Sequence, residues 1–270
     1  MAEEFEFQVA SSEETQAKVT MSNRLARSAQ GLSLSEKRIV ALALSSEDTK
    51  SPSRLVEAST NRGWKTKVKA VEYAKTFDID ANTAYDQLKA AADRLFERHV
   101  TYEDKNSQGN VRVNKFRWVS LAQYTVGDGL IELNFTPEIA PHLLGLKNHF
   151  TSYKLQRAAS FESIYAWRLF EVLESWRSTG RYVCEIEDFW EVMEAPPSCR
   201  KDFKALRIRV IAPAVAAIQQ HAGLKVEWFP IRSGARRVTS LEFIFSPDSL
   251  VENVLPAKLS DAIEMRPTNP

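Results

Sequence analysis

The spacing of apolar positions changes along this chain, and each change marks an element. Residues 1–20 are polar and aperiodic, which predicts a disordered arm. Ser33-Leu34-Ser35-Glu36 is a capping box that opens a helix through Ile39, Val40, Leu42 and Ala43. A polar loop over 47–65 follows, then a short helix with Val71, Ala74 and Phe77 on one side. The turn Phe77-Asp78-Ile79-Asp80 leads into a longer helix capped by Asp80. Its Ala84, Leu88, Ala91 and Leu95 repeat at i, i+4, i+7 and i+11, the spacing of a buried helical stripe. The period then falls to two. Val100 and Tyr102, Val111 and Val113, then Phe116, Trp118 and Tyr124 predict strands. Gly127-Asp128-Gly129 predicts a hairpin turn into 130–135, and Thr136-Pro137-Glu138 opens one more helix.

A second round begins near Ser160. The stretch 161–177 is apolar nearly all round, as a central core helix is. A short helix over 186–193, a turn over 194–198 and a basic helix from Cys199 to about Ala212 follow, with Pro213 restarting or kinking the last. Leu224, Val226 and Trp228, then Val238, Leu241, Phe243 and Phe245, form a hairpin around Ser233-Gly234. Both halves therefore run helix, helix-turn-helix, β-hairpin. The fold class this implies is α+β, two tandem winged-helix domains: an arm (1–20), domain 1 (21–150), domain 2 (151–247) and a loose tail (248–270).

The hydrophobic fraction of 44% suits a globular protein. No apolar run approaches the roughly 18 residues of a membrane span, and the N-terminus lacks the pattern of a secretory signal, so a cytoplasmic location is expected. Cys184 and Cys199 lack the spacing of a disulfide framework or a metal site and are expected to be unpaired thiols. Net charge is only +1, but the distribution is uneven. Both ends are acidic, while residues 200–237 hold nine Lys and Arg against Asp202 and Glu227.

That basic region is the sharpest functional signal. A recognition helix buries one face in its own domain and sends the other into the major groove. Phe203, Leu206, Val210 and Ile211 supply the inward stripe, leaving Arg200, Lys201, Lys204, Arg207 and Arg209 outward. Such side chains donate to guanine O6 and N7 or pair with phosphates. Arg232, Arg236 and Arg237 at the hairpin tip suit a wing on the DNA backbone. The first helix-turn-helix offers Asn82, Gln87 and Lys89, but mixed with Asp86 and Asp93, so base reading there competes with phosphate contact or dimer formation. Arg112, Lys115 and Arg117 are either a phosphate rail or ordinary solvent-facing strand positions. No phosphate loop, no H-E-x-x-H and no G-x-S-x-G occurs, and the four histidines are dispersed. An enzyme, a cofactor and a metal are not expected. Double-stranded DNA is the expected partner; a basic scaffold for an acidic protein is the alternative of a different class.

Four segments add a resemblance: Ser22-Asn23-Arg24-Leu25 leading to Leu32-Ser33-Leu34-Ser35-Glu36-Lys37-Arg38; Phe150-Thr151-Ser152-Tyr153-Lys154-Leu155; Tyr165-Ala166-Trp167-Arg168-Leu169-Phe170-Glu171; and Leu206 through Val210-Ile211-Ala212-Pro213-Ala214-Val215 to Ile218. In order and spacing they resemble the theta-type plasmid replication initiators with two winged-helix domains. The chain departs from the family pattern at Ala217, Gln219 and Asp78, the last standing where a glycine is common. The resemblance implies an initiator that binds repeated origin sites (iterons) as a monomer, represses its own gene as a dimer at an inverted repeat, and works with host replication proteins. It also implies that domain 2 makes the main base contacts through Arg200, Lys201, Lys204 and Arg207, with Arg232, Arg236 and Arg237 on the backbone. A winged-helix transcriptional regulator without an origin role needs the same surface and is the competing reading.

Overall fold

The computed structural model describes residues 17–45, 63–124, 127–144, 148–234 and 237–247. It opens with strand β1 (Lys18–Ser22) and one helical turn, α1 (Asn23–Ala26), capped by the Ser22 hydroxyl. The expected arm therefore stops short of residue 20: Val19 and Met21 point inward and are buried, which holds Lys18, Val19 and Thr20 in a strand. Residues 1–16 and the expected tail, 248–270, lie outside the described residues.

The first winged-helix unit follows as α2 (Leu34–Ser45), β2 (Trp64–Lys69), α3 (Ala70–Phe77) and α4 (Ala81–Glu97), then the hairpins β3 (His99–Lys105)/β4 (Val111–Arg117) and β5 (Val119–Tyr124)/β6 (Leu130–Phe135). The stripe Ala84, Leu88, Ala91 and Leu95 of α4 is buried as its spacing predicts. Glu36 of the capping box accepts from the Ser33 N–H at 2.9 Å. It also takes Arg94 of α4 and Arg98, the residue that ends it, at 3.2 and 2.9 Å, so the cap ties α2 to α4. Strand β2 takes in the last two residues of the expected loop and runs four residues past it. Trp64, Thr66 and Val68 alternate inward with Lys65, Lys67 and Lys69 outward, and the strand completes the sheet β2–β6–β5. Gly63 lets it approach: a Cβ there would sit 2.0 Å from the Phe135 carbonyl oxygen.

A short helix, α5 (Ala140–Leu143), starts later than expected because the Thr136 hydroxyl donates to the Arg117 carbonyl at 2.7 Å instead of capping it. Strand β7 (Phe150–Lys154) pairs antiparallel with β1 and straddles the expected division at 150/151. After α6 (Leu155–Ala159) the second unit repeats the order: α7 (Ile164–Glu174), β8 (Arg181–Glu185), α8 (Ile186–Val192), α9 (Pro197–Lys201), a long helix over 203–221, and the wing β9 (Leu224–Ser233)/β10 (Arg237–Pro247). Its sheet runs β8–β10–β9, so in both units the strand after the first helix lies beside the last strand. Among the named strands the β3–β4 hairpin pairs only with itself, with a single bridge from Thr101 to Ala29, and it is an insertion peculiar to the first unit.

One contiguous apolar core runs through both units, and α7 is buried from Ala166 to Glu174 at their joint. That joint is polar inside. The Lys37 ammonium of α2 and the Glu171 carboxylate of α7 are fully buried and 2.7 Å apart. Lys37 also donates to the Gln30 side-chain oxygen at 2.9 Å. The Tyr153 hydroxyl donates to Glu171 at 2.6 Å and accepts from Trp167 Nε1 at 2.9 Å. Trp118 Nε1 donates to the Gln30 carbonyl at 2.8 Å. Burial pushes the Lys37 pKa down, opposed by Glu171, and pushes Tyr153 well up. Three of the four family-like segments meet here, in Lys37, Tyr153, Trp167, Arg168 and Glu171. Trp118 and Trp167 are both core residues.

Candidate nucleic-acid interface

The second helix-turn-helix is set by its turn. Glu194 adopts a left-handed conformation (φ 51°), and its carboxylate accepts from the Gly31 N–H at 2.9 Å and the Gln30 N–H at 3.3 Å. Buried Arg168 donates to the carbonyls of Ser28 and of Val192, the last residue of α8. The first unit's loop 28–31 thus grips the turn from which the following helices project.

The basic helix expected to run from Cys199 is two helices. α9 ends at Lys201, and the Asp202 carboxylate accepts from the Lys204 N–H at 2.9 Å to cap a new start. From there α10 (Phe203–Leu206), a π turn (Arg207–Ile211) and α11 (Ala212–His221) run without a break. Asp202 is therefore a helix cap and not merely a balancing charge. Leu206, Val210 and Ile211 are buried and Phe203 packs on Trp228 of the wing, 6.5 Å between ring centroids. Gln219 accepts from the Val226 N–H at 3.2 Å, fastening the far end of the helix to β9.

Lys201, Lys204, Arg207 and Arg209 are exposed and have no ion-pair partner among the described residues. Arg200 differs. Its Nε donates to the Ala195 carbonyl at 2.8 Å and its Nη1 to the Glu191 carboxylate, so it closes the turn. Arg237, at the wing end, donates to Glu187 of α8 at 3.2 Å; both are largely exposed, so this pair is weak and exchangeable. Arg232 is exposed on the neighbouring strand, and Arg236 lies outside the described residues.

In the first unit Asp80 caps α4 through the Asn82 N–H at 3.0 Å, leaving the Asn82 side chain exposed. Gln87 donates to the Thr83 hydroxyl at 3.3 Å, and the Lys89 ammonium lies 4.5 Å over the Tyr124 ring, turned toward β5. Asp78 takes the left-handed conformation (φ 51°) that favours glycine, so the turn keeps its geometry without one. The strand cations fall on the inserted β3–β4 hairpin: Arg112 pairs with Asp104 at 2.7 Å and Arg117 with Glu97 at 3.0 Å, while Lys115 is exposed. The hydrogen bond from Arg112 is the main cause holding the Asp104 carboxyl down at about 2.

Both cysteines are free thiols, and burial pushes Cys184 up to about 11. No group of three or more potential metal ligands occurs among the described residues. No helix among them is long and apolar enough to cross a membrane. Sequence reasoning missed Glu187, Glu191 and Glu194, whose positioning role depends on partners that the fold alone brings near. It also passed over Ile208, an exposed apolar residue amid the cations.

Residues 18–174 match the family model described as initiator replication protein, WH1, and residues 185–245 match initiator Rep protein, WH2. An uncharacterized 27.6 kDa protein of Escherichia coli is 27% identical over 237 residues, covering 85% of this chain and 93% of that one. The PI protein of Escherichia coli is 23% identical over 263 residues, covering 86% and 83%. A crystal structure of Pi initiator protein in complex with iteron DNA shares the fold at a TM-score of 0.69 and 22% identity, covering 87% of this chain and 98% of that one. With both of its winged-helix units matched, the chain belongs to the initiator replication protein family.

Proposed function

We propose that the chain is a plasmid replication initiator that binds directly repeated sites, iterons, in double-stranded DNA. The helix over 203–221 enters the major groove and the β9–β10 wing follows the adjacent backbone. The observation that carries this reading is the set Lys201, Lys204, Arg207 and Arg209, four exposed cations without carboxylate partners among the described residues. They lie on or just before the recognition-type helix of an initiator-family unit. The related fold solved on iteron DNA supports the same use. In this proposal monomers occupy the repeats and dimers repress the gene at an inverted repeat. The first unit supplies auxiliary backbone contacts or the dimer surface, and host replication proteins join at the opened duplex. The protein acts by binding, without catalysis, in the bacterial cytoplasm.

The test is footprinting of DNA flanking the protein's own gene across a salt series. Protection of several direct repeats at regular helical spacing is expected. If all four cations meet phosphates, log K falls against log salt with a slope of about −3.6. Protection of an inverted repeat alone would make the protein a regulator. Equal binding to random duplex would overturn sequence reading altogether.

A further inference from the structure

The helix over 203–221 departs from α geometry where its outward face is broadest. The Ala212 N–H reaches back five residues to the Arg207 carbonyl, which makes a π turn. Pro213 explains it: the ring offers no N–H to Arg209 and crowds the preceding turn, so the helix widens instead of breaking. A wider turn uses more residues per revolution. Arg207, Ile208 and Arg209 are accordingly all exposed in succession, before Val210 and Ile211 both turn inward.

Ile208 stands at the centre of that face and is 53% exposed. Arg207 and Arg209 flank it, Lys204 lies one turn before, and the small exposed Ala212 one turn after. Among the described residues it is the one large exposed apolar side chain on this helix; the others in this unit lie on the outer face of the sheet. Single exposed apolar side chains are common on protein surfaces. This one is lodged among cations that have no ion-pair partners among the described residues, on the face that would meet base edges. There the apolar feature of the major groove is the thymine C5-methyl group.

We propose that Ile208 is a specificity-determining residue that packs on a thymine methyl, so that each repeat carries an obligatory T·A pair beneath it. The proposal rests on the reading that this helix enters the major groove. The π turn is the device that presents Ile208, because it keeps the isoleucine and both neighbouring arginines outward together.

The probe is a duplex carrying the sequence protected in the footprint, with each thymine replaced in turn by deoxyuridine. That exchange removes one methyl and leaves the hydrogen-bonding edge intact. The native protein is expected to bind about three- to fivefold more weakly at one thymine position, the worth of one buried methyl. Ile208→Ala should lose affinity for the thymine duplex and bind its uracil counterpart equally. Ile208→Val, which keeps a branched methyl, should retain part of the discrimination, and it serves if the alanine variant fails to fold. A native protein that protects repeats yet is indifferent to every thymine methyl overturns the role of Ile208 alone. So does Ile208→Ala with native discrimination. A native protein that protects no sequence overturns both this proposal and the reading beneath it.

Discussion

Replacing Lys37 by Met tests what holds the two units together. The substitution keeps the length and most of the volume of the side chain and removes one charge. Glu171 then remains fully buried without its cation, keeping the Tyr153 hydroxyl at 2.6 Å and a long contact to Gln30 Nε2 at 3.5 Å. Stripping one partner from a buried ion pair costs about 3–5 kcal/mol, chiefly because the remaining charge is uncompensated. The surviving Tyr153 bond places Lys37→Met near the lower end, about 3 kcal/mol. With a urea m-value of about 3 kcal/mol per molar for a chain of this size, the midpoint should fall by about 1 M. Unfolding can be followed by circular dichroism together with tryptophan fluorescence. Trp118 and Trp167 both hydrogen-bond within the network and report on it directly. Glu171→Gln should cost a similar amount by leaving the ammonium buried. The double variant Lys37→Met/Glu171→Gln removes both members of the pair, leaving buried Arg168 facing Glu194, and should recover about 2 kcal/mol relative to the sum of the singles. A single-variant loss below about 1 kcal/mol with additive behaviour in the double would refute the reasoning. The pair would then contribute no more than a surface ion pair does.

Two further outcomes follow from the joint and from the inserted hairpin. Glu194→Gln removes the charge that accepts from the Gln30 and Gly31 N–H groups without touching the surface proposed to face DNA. Affinity for the protected repeat should fall roughly tenfold, from a loss of about 1.4 kcal/mol in a charged hydrogen bond, with the salt slope unchanged. A slope that drops by about 0.9 would instead make Glu194 a determinant of phosphate contact. His142 is hydrogen-bonded to the Ser22 hydroxyl at 2.9 Å and packed against Phe116 and Tyr102 of the insertion. Burial first, and Arg24 second, push its pKa down. A histidine with a lowered folded pKa binds its proton more readily when unfolded. Stability is therefore unaffected above the ordinary value of about 6.5 and is lost as pH falls from there through the depressed value. Urea midpoints at pH 7.5 and 5.5 should diverge more for the native chain than for His142→Gln, and equal divergence would exclude this histidine as the cause.

The elements that the sequence determined by itself are those whose reasons are local. Asp80 caps α4 as read, because a cap acts over two or three residues. The stripe from Ala84 to Leu95 is buried as read, because helical spacing needs no knowledge of the partner surface. The repeated order of helix, helix-turn-helix and hairpin was legible for the same reason, and so was the basic face from Lys201 to Arg209. Strand β2 was nearly legible. Its alternation spans only six residues, and what makes it a strand is pairing with β6, from Lys69 with Leu130 to Trp64 with Phe135.

The tertiary structure decided which of the cations remain available, and that could not be read along the chain. Arg200 and Arg207 look alike in sequence, yet Glu191 holds one at the turn while the other faces solvent. Glu171 and Arg168 sit in what reads as an apolar helix, and only the fold brings Lys37 to one and the carbonyls of Ser28 and Val192 to the other. The physical reason is range. Caps, stripes and turns are fixed by neighbours a few residues away, whereas burying or neutralising a charge depends on partners that only the fold brings together, nine positions off for Arg200 and Glu191 and 134 for Lys37 and Glu171.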